Sequence, residues 1–302
     1  MKVLITGSSG LIGSALISAL TAQGHQVVRL VRRRVNGEEG VAKWDPAAGK
    51  LDPAVFEGVD AVVNLAGESI AASRWTPARK SRMRESRVPG TRLLSETMAQ
   101  LAHPPEVLVS ASAVGYYGSR GEEVLSEDAP PGEGFLPEVC VAWEAATEPA
   151  REGGIRVVNL RIGMVLSGKG GALPQMLTPF QMGVGGKLGD GRQFMAWIAI
   201  DDLVAVILHA IANKSLMGPV NAVAPNPVSN REFTKTLGEV LGRPTILSMP
   251  AFAVRLVFGE MADALLLASA RVEPLRLAVG GFVFQLPHLE GALRHVLGKV
   301  YN

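Results

Sequence analysis

The chain has 302 residues, 47% of them hydrophobic and 19% charged, which excludes a disordered chain or a mini-domain and allows one large or two modest domains. With 30 Lys and Arg against 28 Asp and Glu, the formal charge is +2. That balance is too even for whole-surface attraction to nucleic acid or an acidic membrane, so the expected partner is a small molecule. One cysteine, Cys140, rules out an intrachain disulfide, and the five histidines show no metal-ligand spacing, so neither a disulfide framework nor a structural metal is expected.

In chain order, Val3-Leu4-Ile5 predicts a short strand. No small-residue cleavage site follows it, and no uncharged apolar run reaches the roughly 18 residues of a membrane span, so a cytoplasmic protein is expected. Leu11, Ile12, Ala15, Leu16, Ala19 and Leu20 recur at helical spacing up to Gly24, and residues 27–31 form a second apolar run. This is a βαβ unit. Residues 61–65, 107–109, 157–160 and 220–223 read as further strands, with helices over 79–87, 90–102 and 138–150. Strands alternating with helices predict an α/β fold, a Rossmann-like doubly wound parallel sheet. After residue 212 the alternation fades, and residues 230–302 read as helices with a short Phe282-Val283-Phe284 strand. The expected division is a Rossmann-like domain over 1–212, contributing cleft segments from 163 on, and a smaller α-rich domain over 213–302.

Between the first strand and helix stands Gly7-Ser8-Ser9-Gly10-Leu11-Ile12-Gly13, the pattern G-x-x-G-x-x-G. Glycine permits the turn, lets a diphosphate approach the main chain and lets helix and strand pack closely, so the phosphates meet the amides that open the helix. Gly7, Ser9, Gly10, Leu11, Ile12 and Gly13 are therefore the expected cofactor cradle. The second strand ends in Val31-Arg32-Arg33-Arg34, where an NAD-specific protein usually carries an acidic residue. A guanidinium matches a 2′-phosphate, so the cofactor expected is NADP(H), with Arg32 first and Arg33 second as its readers. A solvated basic strand end is the plainer alternative.

These motifs resemble the extended short-chain dehydrogenase/reductase superfamily: the glycine turn, Asn64-Leu65-Ala66-Gly67 as its N-x-A-G element, and Trp197-Ile198-Ala199-Ile200-Asp201-Asp202-Leu203 as its W-I-H-x-D-D-L segment. Asn64 to Ile70, Arg87 after Glu85-Ser86, Ser110 to Gly118, Ala224 to Asn230 with Glu232-Phe233, Phe258 to Met261 and Leu265 to Ser269 more narrowly resemble the atypical "epimerase family protein" group. The resemblance covers nearly the whole chain. It implies cofactor contacts at Leu65, Ala66, Gly67, Glu68 and Arg87, and at Val165 in the segment Arg161-Ile162-Gly163-Met164-Val165. Lys80, Arg84 and Arg87 also fall on one face of a predicted helix, which alone reads as a solvated basic surface. The superfamily is often dimeric, and the sequence leaves a homodimer open.

Typical members use Ser or Thr to hold the substrate oxygen, Tyr to transfer its proton and Lys to lower that tyrosine's pKa. Ser112 stands in the serine position. Aligned on Glu144, however, Leu136 replaces the tyrosine and Cys140 the lysine, and Ala199 replaces the histidine of W-I-H-x-D-D-L. Tyr116 and Tyr117, just past Ser112, are the remaining phenols near the site, each equally readable as a packed loop residue. Two functions follow. One is an NADP(H)-dependent oxidoreductase or epimerase-like enzyme acting on a small carbonyl or alcohol. The other is a dinucleotide-binding sensor or regulatory protein without catalysis.

Overall fold

The computed structural model describes residues 1–32 and 39–299. Its first apolar run is β1 (Lys2–Thr6), in which Val3 and Ile5 face one core and Leu4 the other, all fully buried. A strand apolar on both faces needs helices on both sides. On one side α1 (Leu11–Ala22) brings Leu16 and Leu20, and α7 (Ile200–Ala212) brings Leu203, Val206 and Ile207. On the other, α3 (Val88–Ala99) brings Leu94 and Met98, and α5 (Glu148–Glu152) brings Ala150.

The remaining strands of the main sheet are β2 (Gln26–Val31), β3 (Val41–Asp45), β4 (Lys50–Leu51), β5 (Ala61–Asn64), β6 (Val107–Ala113), β7 (Arg156–Ile162) and β8 (Gly218–Ala222). Their order is β8-β7-β6-β5-β1-β2-β3-β4, parallel throughout except the β3–β4 hairpin. The chain leaves β1 toward β2 on one side and returns to β5 on the other. The loops at their carboxyl ends therefore part, and this switch point is where open α/β sheets form a crevice.

Residues 164–199 and much of 224–299 build a second lobe beside that crevice. Its core joins Leu173 and Phe180 of α6 (Ala172–Gln181), Phe233 and Leu237 of α8 (Asn230–Leu241), Leu289 and Leu293 of α11 (Leu289–Val296), and Trp197. The buried Asp202 of the D-D-L segment accepts the amides of Gln285 (2.8 Å) and Leu286 (3.0 Å), tying this lobe to α7.

Several expectations change. The main sheet continues past residue 212, since β8 pairs with β7 as far as Ala222. The helix expected over 138–150 is two, α4 (Phe135–Ala145) and α5, since Thr147 turns its hydroxyl onto the Glu144 carbonyl and Pro149 opens the next helix. Phe282-Val283-Phe284 is no strand. Its two rings instead pack edge to face, centroids 4.8 Å apart, against the main core. The sheet-edge strands β3 and β4 have no counterpart in the sequence reading, because only Trp44 among their residues is buried and the apolar signal is correspondingly faint.

Candidate functional site

The glycine turn occupies the crevice. Gly7 has φ +65°, and a Cβ there would lie 2.5 Å from the Leu65 carbonyl oxygen, so the loops after β1 and β5 touch main chain to main chain. A Cβ on Gly13 would lie 2.4 Å from the Gly7 oxygen. Gly10 caps α1 without a side-chain hydrogen bond, so the opening amides of the helix are left to an anion. Ser9, Gly10, Leu11 and Ile12 all stand on this turn. The cradle is one that side chains would fill, and it fits a diphosphate.

The end of β5 is fixed by buried polar groups that sequence reasoning missed. Thr6 donates its hydroxyl to Asn64 Oδ1 (2.7 Å) and accepts the amides of Leu65 and Ala66 (3.1 Å each). Asn64 Nδ2 donates to Thr91 (2.8 Å) and Ser110 (3.1 Å), and Trp143 Nε1 donates to Thr91 as well (3.0 Å). Saturated networks of this kind hold a loop rigid. Their only local signal is polar residues inside apolar strands.

Beyond Ala66, the Glu68 carboxylate is engaged by the buried Arg79 and lies 3.8 Å from Arg82. Arg87 lies between α2 (Pro77–Glu85) and α3 rather than on one helix with Lys80 and Arg84, because the first helix ends at Ser86. That break turns its guanidinium inward. It stacks over Gly67, lies 5.0 Å from the Trp143 ring, and donates to the Glu68 (2.8 Å) and Met83 (2.9 Å) carbonyls. Burial draws its pKa below the ordinary value, with the Cys140 thiol among its electrostatic neighbours.

Ser112, the penultimate residue of β6, stands on the face of Ser110, directly beside Arg161 of β7. It is 3% exposed, and its hydroxyl donates to Glu144 Oε1 at 2.7 Å. Glu144 in turn receives Arg161 through Nε and one terminal nitrogen, each at 2.9 Å. Another Arg161 nitrogen donates to the Tyr117 hydroxyl and the Glu127 carbonyl, both at 3.0 Å. Burial opposes the Arg161 cation, but the bonds and charge of Glu144, with Tyr117, outweigh it and raise its pKa.

The two tyrosines thus part company. Tyr117 is fully buried and its hydroxyl donates to Asn221 Oδ1 (2.7 Å), so it is a core residue rather than a group in the crevice. Tyr116 is half-buried, and the Arg161 guanidinium lies 3.4 Å from its ring centroid. Leu136 and Cys140, in the positions of the family's tyrosine and lysine, are buried on α4 and face Gly115. Burial first, and the Glu144 charge second, push the Cys140 thiol up to about 12, so it stays protonated and unreactive.

Arg32 is exposed at the end of β2, while Arg33 lies outside the described residues. Val165 is half-buried on a short strand, Met164–Leu166, that pairs with Trp197–Ala199. Among the described residues no group of His, Cys, Asp and Glu could hold a metal ion, and no helix is long and apolar enough to cross a membrane.

A parallel sheet with a glycine turn at its switch point defines a Rossmann-like α/β protein. The chain belongs to the NAD dependent epimerase/dehydratase family, which it matches over residues 3–222; residues 249–296 match a domain of unknown function (DUF1731). Epimerase family protein Mb2239 of Mycobacterium bovis is 48% identical over 283 residues, 93% of each chain. Epimerase family protein SDR39U1 of Homo sapiens is 36% identical over 300 residues, 98% of this chain and 100% of that one. A crystal structure of the human protein with NADPH is similar at a TM-score of 0.90 and 35% identity, covering 99% of this chain and 100% of that one.

Proposed function

We propose that this protein binds NADP(H) in the switch-point crevice and acts as an oxidoreductase or epimerase-like enzyme on a small carbonyl or alcohol. The observation that carries this reading is the cradle at Gly7, Gly10 and Gly13, whose main chain and uncapped helix start suit a diphosphate. The NADPH in the related human structure supports the choice of nucleotide, as does an arginine where an acidic residue would select NAD. Arg32 is the group assigned to the 2′-phosphate. Leu65, Ala66, Gly67 and the inward-turned Arg87 are assigned to the nicotinamide end.

The bound nucleotide supplies the hydride, and the chain's own residues position the reacting group and manage the proton. Ser112 has committed its one proton to Glu144, so toward a ligand its oxygen offers lone pairs. It serves as an acceptor that orients a hydroxyl. Tyr116 is the one described phenol that is not fully buried, and the Arg161 guanidinium lies against its ring. It is assigned the proton transfer. Tyr117 positions Arg161.

A second reading, a dinucleotide-binding sensor without turnover, draws on the burial of Leu136 and Cys140 and the engaged hydroxyls of Ser112 and Tyr117. Titration with NADPH, NADP⁺, NADH and NAD⁺, followed by a panel of small carbonyls under NADPH, tests both. Stoichiometric NADPH oxidation with any carbonyl supports the enzyme. Tight binding with no NADPH oxidation across aldehydes, ketones and quinones, no NADP⁺ reduction by alcohols and no stereochemical inversion of a chiral alcohol supports the sensor, and no binding of any nucleotide removes both.

A further inference from the structure

The C-terminal segment reaches back to the chain that follows β5. Arg74 donates through Nε (3.0 Å) and a terminal nitrogen (2.8 Å) to the Val257 carbonyl, and also to the Leu256 carbonyl. These two carbonyls belong to the last turn of α9 (Ala251–Phe258), just past the Arg255 carbonyl that accepts the Gly259 amide. Two residues past that helix, Glu260 pairs with Lys80 of α2. Partners about 180 residues apart in sequence are thus joined at two neighbouring points.

What they hold in place lies beside the site. Trp75, next to Arg74, packs edge to face on Phe135, with centroids 5.4 Å apart, and its Nε1 is fixed to the Ile70 carbonyl at 2.8 Å. Lys80 lies 5.2 Å from the same Phe135 ring. Phe135 opens α4 immediately before Leu136, the residue in the tyrosine position.

We propose that residues 251–260 are a clasp: by holding Arg74 and Lys80 they fix the Trp75–Phe135 pair as a wall of the crevice beside Leu136, and ligand exchange requires the clasp to open. This gives the C-terminal region a task in the site, and its ligand-exchange half rests on the nucleotide-binding reading above. The contacts suit a device that opens. They are one exposed ion pair and a few hydrogen bonds to helix-end carbonyls.

Trp75 reports on the clasp directly, because it is half-buried whereas Trp44, Trp143 and Trp197 are 4%, 6% and 1% exposed. The experiment compares wild type, Lys80→Glu, Glu260→Lys and the double charge swap, with Trp75→Phe in each background to isolate its signal. Acrylamide quenching is measured without nucleotide, and NADPH dissociation by stopped flow. Each single reversal is expected to steepen Trp75 quenching and to speed dissociation by about two- to fivefold, the scale of an exposed ion pair. The double swap is expected to restore both. Singles that match wild type in quenching, or a double swap that fails to recover, overturn the clasp. Altered quenching with unchanged NADPH dissociation overturns its role in exchange. Should no nucleotide bind, the proposed function fails while quenching still decides the clasp.

Discussion

Ser112 gives its hydroxyl proton to Glu144, 32 residues away, and Glu144 is itself gripped by Arg161, the neighbour of Ser112 on the adjacent strand. The orientation of the serine hydroxyl therefore depends on an ion pair whose side chains are 3% and 14% exposed.

Removing one partner of that pair strands the other. Glu144→Ala leaves a buried guanidinium uncompensated and is expected to cost about 3–5 kcal/mol, whereas Ser112→Ala, which leaves the pair intact, costs about 1 kcal/mol. Urea denaturation of both variants checks the contrast. Equal losses would show that the ion pair is not what holds β6, β7 and α4 together here.

The cradle makes a steric prediction. Gly13→Val puts a branched side chain where even a Cβ falls 2.4 Å from the Gly7 oxygen. NADPH affinity is expected to drop more than about tenfold, a loss of over 1.4 kcal/mol of binding. Gly24→Ala, where nothing lies within 4 Å and only the φ of +76° is strained, should leave NADPH affinity unchanged. Fluorescence titration of the two variants separates close approach from general destabilisation.

Nucleotide choice is assigned to Arg32. Loss of a charge-assisted phosphate contact is worth about 1.5–3 kcal/mol, so Arg32→Ala is expected to weaken NADPH by about ten- to a hundredfold and leave NADH unaltered. Dissociation constants for both nucleotides at fixed salt provide the measurement. An unchanged NADPH to NADH ratio would return Arg32 to the solvated strand end.

Cys140 carries a pH signature. Its thiol is raised from an ordinary 9.0 to about 12, chiefly by burial. The folded protein therefore holds this proton longer than the unfolded chain. The thiol's contribution to stability is constant below pH 9, declines as the unfolded thiol ionises above it, and is lost by about pH 12. Cys140→Ala is expected to flatten this decline, as measured by urea unfolding between pH 8 and 10.5. At pH 8 a thiol reagent should label the native protein negligibly and the denatured protein at one site per chain.

Local pattern carried most of the architecture. The glycine turn, the apolar strands alternating with amphipathic helices and the arginine at the end of β2 each depend on residues close in sequence, whose backbone preferences and burial period are fixed before the chain closes on itself. The missing tyrosine and lysine were legible too, because identity at a spacing needs no coordinates. Tertiary structure alone separated Tyr116, half-buried with Arg161 over its ring, from Tyr117, fully buried with its hydroxyl on Asn221. It also ended α2 at Ser86 and so turned Arg87 inward, gave the hydroxyl of Ser112 to Glu144, and set Arg74 against the end of α9. Those outcomes depend on partners distant in the chain. Hydrogen bonds and ion pairs are short-ranged and directional, and only the folded backbone decides which donor reaches which acceptor.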